Sequence, residues 1–231
     1  MKVFESSGQS WGVILAIVAG ATMTLGNLVA LQQTNPVRLL AYSSISQAGF
    51  IIAPLAVSGI TGNYQDGIFA SVTYLIIYAF MNIGAFLSVH LFTNFTKSDN
   101  FYEWGGIAKH SPLAGVLTTV FFFSLAGIPP LGGWFAKFVV FRSLLSTGEI
   151  IGISLAIVGA INAVIALVYY ARISKVIWMD ELKNPEEEKS FEFQSPLKVV
   201  GALTVLITFV AGIFPGIFSY LGEVSSIFFG N

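Results

Sequence analysis

The chain has 231 residues, of which 55% are hydrophobic and 10% are charged, and its net charge is −1. Soluble domains carry about 25% charged residues, so this composition excludes disorder, a coiled coil and an ordinary soluble enzyme. The near-neutral charge gives no basic surface for nucleic acid. The absence of cysteine excludes disulfides, iron–sulfur ligation and thiolate catalysis, and two histidines far apart in sequence argue against a metal centre. The chain is therefore predicted to be an integral membrane protein.

Six long segments that are nearly free of Asp, Glu, Lys and Arg follow one another along the chain. Each is as long as the roughly 20 apolar residues that cross a bilayer core. Their apolar runs lack the period-2 alternation of barrel strands, so helices are predicted. The spans are placed near residues 12–31, 39–60, 68–94, 113–141, 150–171 and 199–221. We expect an all-α membrane protein in which residues 1–231 form a single membrane domain.

The basic residues between the spans predict their orientation. Six spans place both termini on one side, and that side holds two basic residues, Lys2 and Arg142. The opposite side holds eight: Arg38, Lys97, Lys109, Arg172, Lys175, Lys183, Lys189 and Lys198. The positive-inside rule then places both termini outside and the 172–198 loop in the cytoplasm. No clear small-residue cleavage site follows the first span, so we expect a retained span rather than a signal peptide.

The fourth span is predicted to be broken at Gly127–Pro130. As a straight helix its 29 residues would be about 43 Å long, against a bilayer core of about 30 Å. Its centre holds residues that lack an N–H donor or that permit unusual backbone angles. These residues are Gly127, Pro129, Pro130, Gly132 and Gly133. A helix broken inside the membrane is typical of proteins in which backbone lines a hydrated cavity.

Lys137 is the strongest functional candidate, because it lies just after this break and deep within a span. Polar groups at membrane depth are unfavourable, so each is a functional hypothesis by default. A lysine there can change its protonation state, and carbonyls freed by the break, or water, can hold its charged form. The alternative from the residues alone is a tilted helix whose lysine extends to the interface beside Arg142.

Polar stripes follow the second and third spans. Tyr42 and Ser46 are four residues apart, as are Ser43 and Gln47, so each pair shares one face of a helix. The third span repeats the pattern with Tyr74, Tyr78 and Asn82, and then His90 near the predicted cytoplasmic end. Such stripes can hold a chain of water molecules or form hydrogen bonds between helices. The residues alone leave both interpretations open.

Two of these stretches together resemble one family. Residues 33–49, QTNPVRLLAYSSISQAG, are similar to its Q-T-x-x-K-R-L-L-A-Y-S-S-I-x-x-x-G stretch. Residues 124–138, SLAGIPPLGGWFAKF, resemble its S-L-A-G-I-P-P-x-x-G-F-x-x-K-F stretch. The family is the antiporter-like membrane subunits of NADH-quinone oxidoreductase (respiratory complex I) and their relatives. The Ser43-Ser44 pair resembles the N-type subunit more than the M- or L-type.

The resemblance covers only part of the family's architecture. Members have roughly fourteen spans in two inverted repeats of five helices, and this chain resembles the second repeat plus the final helix. The family's glutamate–lysine pair and central lysine lie in the first repeat, so no residue here corresponds to them. Val37 stands where the family usually has Lys beside Arg38, and Trp134 stands where it usually has Phe. Lys137 coincides with the family's lysine of the broken helix.

The resemblance implies a proton-translocating membrane-arm subunit, or its C-terminal half, in an NADH-quinone oxidoreductase-type complex. Electrons then pass from NADH or a similar donor to quinone in other subunits, and this chain is a non-redox subunit without a cofactor of its own. The implied partners are other membrane-arm subunits, the lipid bilayer and an N-terminal half carried by a separate chain or reading frame. The implied location is the plasma membrane. The predicted proton path consists of Lys137, His90, Tyr42, Ser46, Tyr78 and Asn82.

Two other functions remain open at this point. A subunit of a multi-subunit cation/proton antiporter, or of a related membrane hydrogenase or dehydrogenase, shares the fold and the lysine, although the Ser43-Ser44 pair argues weakly against it. A non-transporting structural remnant is the third interpretation, because the first half of the family's architecture is missing.

Overall fold

The computed structural model describes residues 8–181 and 195–229, and every regular element in these ranges is helical. The α-helices are α1 Gly8–Leu31, α2 Pro36–Thr61, α3 Tyr64–Thr96, α4 Ile107–His110, α5 Pro112–Ala126, α6 Gly132–Ser146, α7 Ile150–Met179, α8 Ser195–Ile213 and α9 Gly216–Phe229. A short 3₁₀ helix, Phe101–Trp104, precedes α4. The predicted all-α membrane fold is confirmed.

Local sequence signals explain where α2 and α5 begin. Pro36 and Pro112 occupy the first turns of these helices, where the missing N–H of proline needs no partner. In α2 the side-chain oxygen of Asn35 also accepts a hydrogen bond from the backbone N–H of Arg38 at 3.0 Å. These signals fix the N-terminal ends of both helices.

Four helices are each long and apolar enough to cross a membrane: α1, α2, α3 and α7. α5 is apolar but has only 15 residues, and α6 carries Lys137 and Arg142. α8 and α9 together are long and apolar enough for one further span. The described helices thus supply four to five apolar spans. The sixth crossing, by α5 and α6 in series, stays a prediction.

The span predicted near residues 199–221 is sharply bent rather than straight. α8 ends at Ile213, α9 begins at Gly216, and the two helices meet at an angle of 84°. Pro215 lies at the bend. Its ring removes a backbone donor and disfavours helical geometry at Phe214, so an apolar sequence that reads as one helix turns sharply there.

The predicted 172–198 loop also needs correction, because α7 continues as a helix to Met179. The fifth span is predicted to end before Arg172, the first charged residue that follows it, but the helix continues past this residue. Its guanidinium donates to the carbonyl oxygens of Leu31 at 2.9 Å and Gln33 at 3.3 Å, and is therefore accommodated inside the bundle. Residues 182–194 of the predicted loop lie outside the described residues.

α3 occupies the centre of the packing. It contacts α2, α5, α6, α8 and α9, while α1 packs along α2 and against α7. Large side chains fill the interior at these contacts, among them the fully buried Phe50, Tyr74 and Phe121. The half-helix α5 packs against α3 and α7, and α6 packs against α3, α8 and α2, so Lys137 on α6 lies among buried side chains.

Candidate functional site at the broken helix

The helix break lies where the sequence predicts it. α5 ends at Ala126, and Gly127 adopts φ 95°, a left-handed conformation that glycine accepts without strain. The Gly127 N–H donates to the carbonyls of Phe123 and Ser124 at 3.0 and 2.9 Å. Helical geometry resumes only at Gly132. The carbonyls of Leu125 and Ala126 are therefore left without the partners that a continuing helix would supply.

The start of α6 lies directly against the end of α5. The Gly133 N–H donates to the Ser124 hydroxyl oxygen at 3.1 Å, and that hydroxyl contacts the Met81 sulfur at 3.1 Å. A Cβ on Gly133 would lie 1.7 Å from the Ser124 carbonyl oxygen, so only glycine permits this approach. Pro129 and Pro130, on the outer edge of the break, are exposed in this chain. The inner side of the break is thus closed around Lys137, whereas its outer edge is open.

Lys137 extends back towards the break and not towards Arg142. Its side chain is only 5% exposed, and Nζ donates to the carbonyl oxygens of Leu125 at 3.0 Å and Ala126 at 2.7 Å. Nζ also lies 5.3 Å from the centroid of the Phe50 ring, a distance typical of a cation–π contact. Within residues 8–181 and 195–229, no carboxylate forms an ion pair with Lys137. Backbone dipoles at the end of α5, not a counter-ion, face the amine.

Two further side chains complete this group of hydrogen-bonded residues. The Gln47 amide on α2 donates to the Leu125 carbonyl oxygen at 3.2 Å, and the Tyr74 hydroxyl on α3 donates to the Gln47 side-chain oxygen. Tyr74 is fully buried, and its ring stacks on Phe50. We call Lys137, Gln47, Tyr74 and the carbonyls of Leu125 and Ala126 the Lys137 cluster. It joins α2, α3, α5 and α6 at the break.

The other predicted path residues lie elsewhere on α2 and α3. Ser46 is buried, Tyr42 and Asn82 are half-buried, and His90 is exposed and hydrogen-bonded to Asn94 at 2.8 Å. The ring of Tyr78 is half-buried, and its hydroxyl is buried without a hydrogen-bond partner among the described residues. No hydrogen bond of the described structure connects any of these five residues to the Lys137 cluster. Their part in a proton path stays a prediction.

A second buried polar group, absent from the predicted path, lies between α1, α2 and α7. The Ser43 hydroxyl is 2.5 Å from the Tyr170 hydroxyl and 3.1 Å from the Tyr169 hydroxyl. The Tyr169 hydroxyl is also 2.9 Å from the Asn27 side-chain oxygen, and the Asn27 amide donates to the Asn162 side-chain oxygen at 3.0 Å. We call these five side chains the Ser43 cluster. Each is at most 2% exposed.

The structure brings only one of the two polar pairs of α2 into these clusters. The pairs Tyr42–Ser46 and Ser43–Gln47 are equally polar in sequence, and only the second lies within the two clusters. The signal that could have found the Ser43 cluster is the pair Asn27 and Asn162. Each is a lone amide in an otherwise apolar span, and an amide in that position needs a partner from another helix.

The opposite end of α6 carries a partly exposed ion pair. Arg142 forms a salt bridge with Asp66 at 3.2 Å, with side chains that are 56% and 20% exposed. An open polar groove at this end is lined by Asn63, Asp66, Arg142, Glu223 and Ser226. Within the described residues, no group of three or more His, Cys, Asp or Glu side chains is close enough to hold a metal ion.

The fold and the site together define a class: multi-pass helical membrane proteins with a buried lysine on a broken helix. The family described as "NADH:quinone oxidoreductase/Mrp antiporter, TM" matches residues 1–165. The chain belongs to this family. Residues 1–165 include the break and Lys137, so the match covers the whole candidate site.

Relatives and solved structures agree with this assignment. The chain is 40% identical over 223 residues to "NADH-quinone oxidoreductase subunit N 2" of Rhizobium meliloti, covering 95% of this chain and 44% of that protein. Its fold is similar to a chain of the Mrp complex from a Dietzia species, with a TM-score of 0.80 and 20% identity over 94% of this chain and 47% of that one. It is also similar to a chain of respiratory complex I from Thermus thermophilus, with a TM-score of 0.64 and 25% identity over 90% and 44%.

The curated relatives confirm the resemblance to the N-type subunit. They are named NADH-quinone oxidoreductase subunit N or NAD(P)H-quinone oxidoreductase subunit 2. The chain spans only 40–44% of the length of these relatives.

Proposed function

We propose that this chain is the C-terminal part of a proton-translocating membrane-arm subunit in an NADH-quinone oxidoreductase-type complex. The observation that carries the proposal is Lys137, a buried amine held by two backbone carbonyls at a break in a membrane helix. The names of the curated relatives support the same complex.

The environment of Lys137 suits a group that takes up and releases a proton. The ammonium form gains from the two carbonyl oxygens, from the negative end of the α5 dipole and from the Phe50 ring. Burial opposes that form, and no carboxylate among the described residues pairs with it. Because these effects act against each other, a change in nearby charge or hydration can shift Lys137 between its two protonation states.

In this proposal the redox chemistry takes place in other subunits. NADH or a similar donor and a quinone serve the complex as a whole, and this chain contributes a proton site without a redox cofactor. Its partners are other membrane-arm subunits of that complex. It lies in the plasma membrane with both termini outside.

Replacing Lys137 with alanine tests the proposal. We expect Lys137→Ala to reduce donor-driven proton uptake in inverted membrane vesicles about 100-fold, since loss of a proton-transfer group typically has an effect of this order. Uptake is normalised to the assembled complex. The matched control is Lys109→Ala, which removes an exposed lysine and should pump normally. Full pumping by Lys137→Ala would end the proposed role of this residue.

The orientation has a separate test that uses the lack of native cysteine. A cysteine at Lys109 should react with a membrane-impermeant maleimide only from the cytoplasmic side. A cysteine at Gln65, which is exposed at the opposite end of the bundle, should react only from outside. Both predictions follow from the eight-to-two distribution of basic residues. Labelling of Lys109→Cys from outside intact cells would reverse the topology.

A cation/proton antiporter subunit is the second candidate, and the similarity to a chain of the Dietzia Mrp complex favours its consideration. Affinity purification of the tagged chain from its native membrane separates the two functions. Co-purification of quinone oxidoreductase subunits supports the first function, and co-purification of antiporter subunits supports the second.

A further inference from the structure

The end of α8 lies directly against the linker between α5 and α6, residues 127–131. An added Cβ at Gly212 would lie 1.9 Å from the Pro130 carbonyl oxygen and 2.6 Å from the Leu131 carbonyl carbon. Both are backbone atoms, so neither can rotate away as the end of a flexible side chain could. Only glycine at position 212 therefore allows α8 to approach the linker this closely.

The first residue of α6 contacts the same turn of α8. An added Cβ at Gly132 would lie 3.0 Å from three atoms: the Ala211 methyl carbon, the Thr208 carbonyl oxygen and a methyl carbon of Ile77. Ala211 and Thr208 are at most 1% exposed. The last turn of α8, together with α3, thus encloses the start of α6.

The start of α6 contacts α5 on another face. The Gly133 N–H donates to the Ser124 hydroxyl oxygen, and the two backbones approach so closely that a Cβ on Gly133 would not fit. Gly133 and Lys137 are four residues apart and share the face of α6 that meets α5, whereas Gly132 meets α8. The start of α6 therefore lies between the end of α5 and the end of α8. A displacement at either contact moves Lys137 relative to the carbonyls of α5.

Pro215 explains why α8 ends beside the linker. The last residue of α8 is Ile213. Pro215 lacks the N–H that would continue the helix, and it disfavours helical geometry at Phe214. The chain then turns by 84° into α9, which packs along α3. The end of α8, and not its middle, therefore contacts the broken helix.

We propose that Gly212 is a positioning residue for Lys137. By letting the linker lie against the last turn of α8, it holds the break in the conformation in which both carbonyls at the end of α5 face the amine. A displaced linker would lengthen or misalign the hydrogen bonds of 3.0 and 2.7 Å that hold Lys137. The lysine site thereby includes α8, which lies beyond the family match to residues 1–165. This role rests on the proposed function of Lys137.

Two matched pairs of variants test the positioning role. Gly212→Ala adds a methyl group that must displace the linker, whereas the methyl group of Gly201→Ala, in the same helix, makes only an ordinary contact of 3.5 Å with Leu87. Ala211→Gly removes the methyl group that packs on the start of α6, and Ala202→Gly makes the same change at an exposed position of α8. Within each pair the change in helix propensity is comparable, so contact with the break distinguishes the two variants.

The readouts are donor-driven proton uptake, normalised to the assembled complex, and the pH profile of that uptake. Gly212→Ala should slow uptake about ten- to hundredfold and shift the profile by about one to two pH units, the effect of losing one hydrogen bond to a charged group. Ala211→Gly should shift the profile in the same direction by a smaller amount. Gly201→Ala and Ala202→Gly should match the parent. A purely structural role of α8 would lower the amount of assembled complex and leave the pH profile unchanged.

The pH profile of Gly212→Ala decides the proposal. A profile equal to that of Gly201→Ala overturns the positioning role. If Gly212→Ala does not assemble, Ala211→Gly decides in its place against Ala202→Gly, because removal of a methyl group creates no clash. Lys137→Ala separates this proposal from the proposed function: its full pumping ends both, whereas its loss of pumping beside an unshifted Gly212→Ala overturns only the positioning role.

Discussion

Two basic side chains of this protein make the same kind of contact in different parts of the bundle. Lys137 donates to the last two carbonyls of α5, at 3.0 and 2.7 Å. Arg172 donates to the carbonyls of Leu31, the last residue of α1, and Gln33, at 2.9 and 3.3 Å. Each cation lies 5.3 Å from a phenylalanine ring centroid, Phe50 in one case and Phe101 in the other. Both therefore satisfy the carbonyls at the C-terminal end of a helix.

The two contacts differ in depth and in the chemistry of the cation. Arg172 is half-buried, where α1 ends beside the connection to α2, and its guanidinium is charged at every physiological pH. Lys137 is almost fully buried beside a break in the middle of a predicted span, and its amine can lose a proton. The same local geometry therefore holds a permanent charge at one site and a group that can lose its proton at the other.

The largest effect on proton uptake is expected from replacing each cation, in a separate variant, with the other kind of basic side chain. Lys137→Arg should reduce proton uptake about 100-fold, because a guanidinium cannot release the proton that the proposed mechanism requires. Arg172→Lys should leave pumping within about twofold and change the free energy of unfolding by about 1 kcal/mol, since an ammonium can still donate to the carbonyls. The measurement is uptake in inverted vesicles, normalised to assembled complex. Normal pumping by Lys137→Arg would show that a permanent charge suffices and that both contacts are structural.

A smaller effect is expected from changing the break that distinguishes the Lys137 contact. Gly133→Ala would place a Cβ 1.7 Å from the Ser124 carbonyl oxygen, so α6 must move away from α5. We expect a loss of about 1–3 kcal/mol in the free energy of unfolding and slower pumping, because the carbonyls that hold Lys137 shift. The control is Gly216→Ala, where nothing lies within 4 Å of the added methyl group. Equal thermal stability of the two variants would contradict the close approach of the half-helices.

The smallest effect is expected from the aromatic rings beneath the two cations. A cation–π contact contributes about 0.5–2 kcal/mol. Phe50→Leu should therefore slow pumping about two- to thirtyfold, by removing a group that favours charged Lys137. Phe101→Leu should lower thermal stability without slowing pumping, since Arg172 stays charged in either case. Equal pumping by the two variants would show that the Phe50 ring does not influence proton exchange.

The sequence predicted the helix break, because prolines and glycines act on their own backbone within a few residues. It also singled out Lys137 as the lysine beside this break. It did not predict which face of α2 enters the hydrogen-bonded clusters, since Tyr42–Ser46 and Ser43–Gln47 are equivalent as helical pairs. The second pair enters the clusters because Gln47 hydrogen-bonds to Leu125 and Ser43 to Tyr170. These partners are 78 and 127 residues away in sequence.

Composition, charge-free segments and local backbone chemistry by themselves determined a helical membrane protein with a broken helix and a lysine beside the break. These features depend on transfer of apolar segments into lipid and on the angles that proline and glycine permit. Only the tertiary structure decided that α8 and α9 meet at 84° and that Lys137 extends to the carbonyls of α5. It also decided that α7 continues past Arg172, whose guanidinium binds carbonyls at the end of α1. These outcomes depend on contacts between distant segments, whose strength no local pattern encodes.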